Sequence, residues 1–228
     1  MPLTLVFLHG LAGSPDDIRK TLSHMPECSH FAPRVPYFDE RYSTLGEVAG
    51  AVLQTIPPEF RKEDTILAGN SLGGSLAMAM GASFHRIFLV STHLRTTSRR
   101  IGRSMSTLHT ELKRIFHDPG VLSPDQVSAY EAMWKEFTSC RKRFRRLRQL
   151  KRMAEKFDLH SHIRDQDEKI TLICGRHDQL SPLPDFKELV THYPGVKLHV
   201  IDDCGHAIPL EKPGALASIL LREAAQQG

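Results

Sequence analysis

The sequence is poor in cysteine and has no long apolar segment. Its four cysteines are scattered and form no C-x-x-C pair, which favours reduced thiols in a cytoplasm over disulfides or a thiolate metal site. No apolar run approaches the ~18 residues that a membrane span needs. The N-terminal Met-Pro leads directly into an apolar segment, without the basic stretch that opens a signal peptide. These absences predict a cytoplasmic protein without a membrane anchor.

Patterns for metals and nucleic acids are also scarce. His160 and His162 are close in sequence, but two histidines without a third ligand are a weak metal signal, so we expect no metal and no cofactor. No nucleic-acid-binding module is recognisable, so nucleic acid is not an expected partner. What remains is an ordinary globular composition, with 40% hydrophobic and 25% charged residues in 228, enough for one large core.

Short apolar segments alternate with helical ones along most of the chain. Such alternation predicts an α/β protein whose strands are joined by right-handed crossovers into a mostly parallel sheet. The predicted strands cover 3–8, 30–35, 65–69, 86–91, 169–174 and 196–201, and the predicted helices cover 16–25, 44–56, 72–82, 183–192 and 214–226.

The segment Gly69-Asn70-Ser71-Leu72-Gly73 reads G-x-S-x-G. An apolar strand precedes it and a helix rich in small residues follows, which is the context of a nucleophile elbow. The sharp turn forces the serine into a strained conformation and requires small neighbours. We therefore predict that Ser71 is a nucleophile held above the sheet, at the N-terminus of a helix whose dipole favours negative charge.

A nucleophilic serine needs a base, and the base needs a group that orients it. Asp178 and His206 each follow a predicted strand, so both should lie with Ser71 beyond the carboxyl ends of the sheet. We assign His206 as general base and then acid, and Asp178 as the group that fixes the imidazole tautomer. Asp202 and Asp203 remain alternatives for the acid, and His177 is expected to be structural.

The loop after the first strand, His9 to Ser14, is the candidate for the oxyanion site. A tetrahedral oxyanion needs two preorganised N–H donors. We predict that the backbone N–H groups of Leu72, directly after the nucleophile, and of Leu11 supply them. His9 is expected to hold this loop in place.

The motifs H-G-L-A-G-S, G-N-S-L-G-G, G-R-H-D and C-G-H-A-I-P occur in that order. The set resembles the α/β-hydrolase family, and the resemblance spans nearly the whole chain. It implies an α/β-hydrolase fold and a serine esterase that needs no metal, nucleotide or flavin. Small esterases of this family usually begin with an antiparallel hairpin; here the His-Gly strand starts at residue 3, so a trimmed sheet is expected.

Between the predicted strands at 86–91 and 169–174 the alternation stops and the sequence reads as helix only. The resemblance implies a helical lid, inserted after the family's sixth-strand position, so we predict a lid at 93–164 on a core formed by 1–92 and 165–228. The lid carries seventeen Lys and Arg against seven Asp and Glu, whereas the rest of the chain carries thirteen against nineteen. The net charge of +4 thus hides a basic lid on a mildly acidic core.

The densest basic stretch runs from Cys140 to Lys156. Phe144, Leu147, Leu150, Ala154 and Phe157 recur at helical spacing and predict one apolar face. The remaining face is basic; its candidate docking residues are Arg141, Lys142, Arg145, Arg146, Arg148 and Arg152. This face could serve solubility, an acidic carrier protein, an anionic membrane surface or nucleic acid, the last two being the least favoured.

The elbow, the His-Gly loop, the Ser-Asp-His order and the basic lid are also similar to esterases that cleave the methyl ester of pimeloyl-acyl carrier protein in biotin synthesis. That resemblance implies an acyl carrier protein as partner, docked by lid arginines. The alternatives are a general carboxylesterase, a thioesterase or lipase-like hydrolase of free or lipid substrates, and a non-catalytic binding protein. We expect a monomer.

Overall fold

A computed structural model describes residues 3–11, 13–62, 64–94, 107–164 and 166–225 of the chain. Its centre is a six-stranded sheet in which every strand pair is parallel. The strands are β1 (Thr4–Leu8), β2 (Ser29–Phe31), β3 (Thr65–Asn70), β4 (Arg86–Val90), β5 (Ile170–Gly175) and β6 (Lys197–Ile201).

Ten α-helices accompany this sheet within the described residues. They are α1 (Arg19–Leu22), α2 (Leu45–Thr55), α3 (Leu72–Met80), α4 (Leu108–Ile115), α5 (Pro124–Ser139), α6 (Arg141–Glu155), α7 (Leu159–Arg164), α8 (Leu183–His192), α9 (Ile208–Glu211) and α10 (Pro213–Ala225).

The strand order is β2-β1-β3-β4-β5-β6. The chain adds β2 on one side of β1 and then returns to add β3 on the other side. Loops that leave β1 and β3 therefore diverge to opposite faces and open a crevice at their carboxyl ends, the usual ligand position of an open α/β sheet. The crevice lies between the His-Gly loop and the G-x-S-x-G turn.

Both faces of the sheet carry an apolar core cluster. Neighbouring strand residues point to opposite faces, so each strand contributes to both clusters. In β1, Val6 and Leu8 pack in one core cluster with α2, α3 and α8. Leu5 and Phe7 pack in the other, with Ile18 and α10. All six residues of β5 are buried, as expected for a strand covered on both faces.

The predicted strands and helices are confirmed, with shifted bounds at two places. Strand β2 is three residues long and ends at Phe31, so 30–35 was too long and too late. The predicted helix 16–25 is a 3₁₀ turn at Pro15–Ile18, capped by the Ser14 hydroxyl, that continues as α1.

The described part of the predicted lid at 93–164 consists of α4 to α7 and a 3₁₀ turn at Pro119–Val121; its residues 95–106 lie outside the described residues. Lid is used as the name of this segment. The lid is partly continuous with the core, because Leu150, Met153, Leu159 and Ile163 belong to the same apolar cluster as one face of the sheet. None of the described helices combines the length and hydropathy needed to cross a membrane.

The predicted apolar face of α6 was wrong in part. Phe144 is 54% exposed, whereas Arg146, Leu150 and Met153 are buried. At 100° per residue, Phe144 lies about 200° from Arg146 on the helix, so the two occupy opposite faces. The buried stripe of α6 consists of Arg146, Leu150 and Met153, and its first member is charged. Phe157, just beyond the helix, is partly buried against the same core cluster.

Candidate active site

Ser71 lies between the end of β3 and the start of α3, with φ 54° and ψ −120°. A non-glycine residue in this region is strained, and the strain persists only where surrounding contacts impose it. The Ser71 N–H donates to the Val90 carbonyl at 2.8 Å, and the Ser71 carbonyl accepts from the Gly74 N–H at 3.0 Å. The turn is thus tied both to β4 and to the first turn of α3.

The flanking glycines are required by close backbone approach. A Cβ on Gly69 would collide with the Gly73 carbonyl, and a Cβ on Gly73 would collide with the Leu8 carbonyl of β1. The elbow therefore closes against itself on one side and against the neighbouring strand on the other.

His206 joins the nucleophile to a buried carboxylate. Its Nε2 lies 2.9 Å from the Ser71 Oγ, and its Nδ1 lies 2.8 Å from Oδ2 and 3.1 Å from Oδ1 of Asp178. An ionised carboxylate only accepts hydrogen bonds, so Nδ1 carries the proton and Nε2 is free to take the serine proton. The structure thus brings together the three residues that the sequence assigned.

Asp178 is held by its own loop. Its Oδ1 also accepts from the backbone N–H groups of Leu180 and Ser181, both at 2.8 Å, and the side chain is fully buried. The alternative acids lie elsewhere. Asp202 pairs with Arg176 at the surface, and Asp203 is exposed beside His117 and His177.

The oxyanion loop runs beside the nucleophile. A Cβ on Gly10 would lie 3.2 Å from the Ser71 Cβ, so the backbone that leads into Leu11 passes directly over the serine. Leu72 is the first residue of α3, and the first N–H groups of a helix have no partner within it. Leu72 therefore directly follows Ser71, and Leu11 follows Gly10, the glycine that approaches Ser71; Ala12, next to Leu11, lies outside the described residues.

His9 connects the oxyanion loop to the segment after β2. Its Nδ1 lies 2.8 Å from the Gly10 carbonyl, and its Nε2 accepts from the Val35 N–H at 3.0 Å. The Tyr37 hydroxyl donates to the His9 carbonyl at 2.7 Å. Burial lowers the pKa of His9, which keeps the ring neutral so that one nitrogen donates and the other accepts.

The loop of the catalytic histidine is bound to the lid, which sequence reasoning missed. The His206 N–H donates to the Ile115 carbonyl at 2.7 Å. Glu211 accepts from the Gly205 N–H at 3.0 Å, and from the N–H groups of His117 and Asp118 at 2.8 and 3.3 Å. Burial raises the pKa of Glu211. No motif indicates the contacts with Ile115, His117 and Asp118, because they join residues about ninety positions apart.

Two further polar residues near the triad were also missed. The Nδ1 of His93 lies 3.1 Å from the Ser181 Oγ, which itself donates to the Ser91 carbonyl at 3.0 Å. These contacts connect the start of the lid to the loop that holds Asp178. His93 stands in no motif, so the sequence alone indicates no role for it.

Five of the six candidate docking residues on α6 are exposed: Arg141, Lys142, Arg145, Arg148 and Arg152. Lys142 lies 3.6 Å from Glu40. An open cleft of about 310 Å³ is lined by Phe144 and four arginines, Arg141, Arg145, Arg148 and Arg152.

The assignment of Arg146 to that basic face was wrong. Arg146 is 2% exposed, and it donates from Nε to the Tyr37 carbonyl and from Nη1 to the Tyr42 carbonyl, both at 2.8 Å. It is an internal anchor between the lid and the segment after β2.

A serine at a strand-to-helix turn, bonded to a histidine that a buried carboxylate orients, is typical of serine hydrolases. The chain belongs to the α/β-hydrolase family: the model of the "Alpha/beta hydrolase family" matches residues 5–219. The predicted fold is therefore confirmed, and the protein is a hydrolase. No curated protein matches the sequence closely enough to count as a relative.

Solved structures show the same fold at low sequence identity. A serine hydrolase from the polyaromatic-hydrocarbon-degrading bacterium Cycloclasticus zankles is 17% identical, with a TM-score of 0.76, over 99% of this chain and 92% of that one. A thermophilic esterase from Thermogutta terrifontis is 18% identical, with a TM-score of 0.71, over 97% and 90%. An α/β hydrolase from a sediment metagenome of the Mar Chica lagoon, Morocco, is 19% identical, with a TM-score of 0.72, over 98% and 90%.

Proposed function

We propose that this protein is a serine esterase that hydrolyses carboxylic esters through an acyl-enzyme. The observation that carries the proposal is the chain of hydrogen bonds from the Ser71 hydroxyl through both nitrogens of His206 to the Asp178 carboxylate. An activated serine with a base and an orienting acid is what nucleophilic acyl transfer needs.

In the first half of the reaction, His206 Nε2 removes the Ser71 proton while Oγ attacks the ester carbonyl. The N–H groups of Leu11 and Leu72 stabilise the oxyanion, and the imidazolium returns its proton to the departing alcohol. In the second half, His206 removes a proton from water, the hydroxide attacks the acyl-enzyme, and Ser71 regains its proton as the carboxylic acid leaves. Asp178 stabilises the imidazolium in both halves.

Labelling with a fluorophosphonate probe tests the nucleophile, because only an activated serine reacts. We expect one label per chain, on Ser71, and no label on Ser71→Ala. The same variant should lose at least ~10³-fold in turnover of a p-nitrophenyl ester while keeping its circular dichroism spectrum. Labelling of another serine, or a folded Ser71→Ala protein with more than a few per cent of activity, would overturn the proposal.

The acid is tested separately. Asp178→Asn should lower turnover by about 10⁴-fold, because it stabilises the wrong imidazole tautomer. Asp202→Asn is the matched control, since its carboxylate pairs with Arg176 at the surface. Loss of turnover in the control but not in Asp178→Asn would show that Asp178 is not the triad acid.

We further propose that the ester is carried by an acidic acyl carrier protein, with the methyl ester of a pimeloyl chain as the substrate. The cleft on α6 supports this, because it combines four arginines with an exposed phenylalanine. An acidic partner with an apolar contact residue would match both the charge and the exposed ring. The formal charge of the lid adds long-range attraction for such a partner.

The substrate proposal is tested by comparing hydrolysis of pimeloyl methyl ester on acyl carrier protein with hydrolysis of the free ester. We expect preference for the carrier form at low salt and its collapse near 1 M salt, where the Debye length is only ~3 Å. Reversing both Arg145 and Arg148 to Glu should lower the carrier-to-free ratio ~10-fold or more, whereas exposed Arg61→Glu should leave the ratio unchanged. Equal rates on both substrates would leave a general carboxylesterase.

A further inference from the structure

His117, His177 and Asp203 form a cluster at the surface, outside the triad. Their ligand atoms all lie within 4.8 Å of one another, and all three residues are exposed. We propose that this cluster binds a divalent transition-metal ion of the zinc type, and that the bound ion joins the lid to the two loops that carry Asp178 and His206.

The side chains are of the types that zinc prefers. Two imidazole nitrogens and one carboxylate oxygen are common ligands, at about 2.0–2.2 Å, and a three-ligand set leaves a position for water. The two rings are stacked, with centroids 4.2 Å apart and an interplanar angle of 18°. Because imidazole lone pairs lie in the ring planes, the two rings must turn out of this stack before both nitrogens can face one ion. All three side chains are exposed, so solvent surrounds them and leaves space for these rotations.

The backbone at each ligand is already held in place. The His177 N–H donates to the Cys204 carbonyl at 2.9 Å, and the His117 N–H donates to Glu211 at 2.8 Å. Asp203 has φ 47°, a left-handed conformation that costs energy in a non-glycine residue unless contacts impose it. Neighbouring Asp202 forms the ion pair with Arg176, and the Asp203 carboxylate lies beside the two histidines. Preorganised ligands lower the entropic cost of binding an ion.

The position of the cluster gives the ion a mechanical role. His117 lies in the lid two residues beyond Ile115, whose carbonyl accepts from the His206 N–H. His177 directly precedes Asp178, and Asp203 is three residues before His206. An ion held by all three therefore restrains the lid segment against both catalytic loops. The site is separate from the triad and independent of which ester is hydrolysed.

Calorimetric titration of the chelator-treated full chain with ZnCl₂ at pH 7.5 tests the site. We expect one zinc ion per chain, and at least ~10-fold weaker binding in each of His117→Ala, His177→Ala and Asp203→Asn. His192→Ala is the control, because His192 is an exposed histidine whose ring bonds within α8. Failure of the wild type to bind zinc, or equal binding by the wild type and the three cluster variants, would overturn the proposal.

Two further measurements guard against surface binding and against misfolded variants. Co²⁺ should give a d–d absorption band in the wild type that is lost in His177→Ala, and circular dichroism should be the same for both. Zinc should slow amide hydrogen exchange in 107–121 of the wild type but not of His117→Ala. Zinc binding without this protection would overturn the role in joining the lid to the loops.

Discussion

Asp17 helps to hold the predicted oxyanion loop through hydrogen bonds to its backbone. Asp17 closes the loop from below: its carboxylate accepts from the Ser14 N–H at 3.2 Å, and the Gly13 N–H donates to the Gly10 carbonyl at 3.1 Å. Burial raises the pKa of Asp17 to about 6. Because the carboxylate is partly desolvated, its charged form is disfavoured in the folded state. The free energy of unfolding should therefore change with pH.

The stability of the protein should depend on pH through Asp17. Because its pKa is higher in the folded state than its ordinary 3.8, the group contributes stability that is fully present below about pH 3.8 and is lost as the pH rises through about 6. The wild type should therefore gain stability relative to Asp17→Asn as the pH falls from 7 to 4. Urea unfolding of both proteins across this range measures the difference. A constant difference would show that Asp17 does not titrate in this window.

Among the secondary-structure elements, the strand–elbow–helix unit is limited by backbone contacts. A Cβ on Gly73 would collide with the carbonyls of Leu8 and His9, and neither carbonyl can move without disturbing β1 or the oxyanion loop. Gly73→Ala should cost at least about 1–3 kcal/mol of unfolding free energy, as overpacking typically does, and it should lower esterase turnover.

The control for this substitution lies in α2. A Cβ on Gly50 would meet nothing within 4 Å, and Gly50 is exposed inside a helix. Gly50→Ala should therefore stabilise the protein by about 0.5–1 kcal/mol, because alanine loses less backbone entropy in a helix. Urea unfolding should therefore show a lower free energy of unfolding for Gly73→Ala and a higher one for Gly50→Ala than for the wild type. Stabilisation by both substitutions would contradict the close packing of the elbow.

Helix α6 is attached to the core through a buried charge. Arg146 donates to the carbonyls of Tyr37 and Tyr42, and removing it leaves both acceptors without their partner. Arg146→Ala should lower the free energy of unfolding by about 2–4 kcal/mol, since hydrogen bonds to charged groups contribute about 1.5–3 kcal/mol each. Arg145→Ala, at the exposed neighbouring position, should change it by less than about 0.5 kcal/mol. Equal losses of unfolding free energy in Arg146→Ala and Arg145→Ala, measured by thermal or urea unfolding, would show that Arg146 does not attach α6 to the core.

In the molecule as a whole, the lid segment and the core meet at the loop that carries His206. Glu211 accepts hydrogen bonds from Gly205 of the catalytic loop and from His117 and Asp118 of the lid. We expect Glu211 to be a positioning residue, because its carboxylate accepts hydrogen bonds from backbone N–H groups of both segments.

Replacing Glu211 by Ala should release the lid segment from the histidine loop. We expect ~10²-fold lower kcat on a short p-nitrophenyl ester with a smaller change in KM, because a misplacement of about 1 Å in the catalytic geometry can cost that much. Glu211→Gln, which keeps one acceptor, should recover part of the loss. Exposed Glu59→Ala controls for surface charge. A change confined to KM would indicate that Glu211 affects substrate binding instead.

The strand, turn and helix around Ser71 could be predicted from the sequence because the steric demands of the turn act between neighbours. The same holds for the Asp178 and His206 loops, since each follows an apolar strand and parallel strands end at one edge. The helical segment between β4 and β5 was also recognisable as an interruption of the strand–helix alternation. The strands, turns and helices depend on contacts between residues that are close in sequence. Their hydrophobic periodicity and their small residues can therefore be recognised in the sequence itself.

Other features depend on how distant segments meet. Asp178 reaches His206 while Asp203, closer in sequence, points to the surface cluster, because the two loops leave neighbouring strands. In the sequence, Arg146 cannot be distinguished from its basic neighbours. It is buried because the face of α6 on which it lies packs against the core. Glu211 binds the lid from ninety residues away. Which side chains are buried and which hydrogen-bond partners they meet depend on the surfaces that the fold brings together. The spacing of residues in one segment does not identify the distant segment that packs against it.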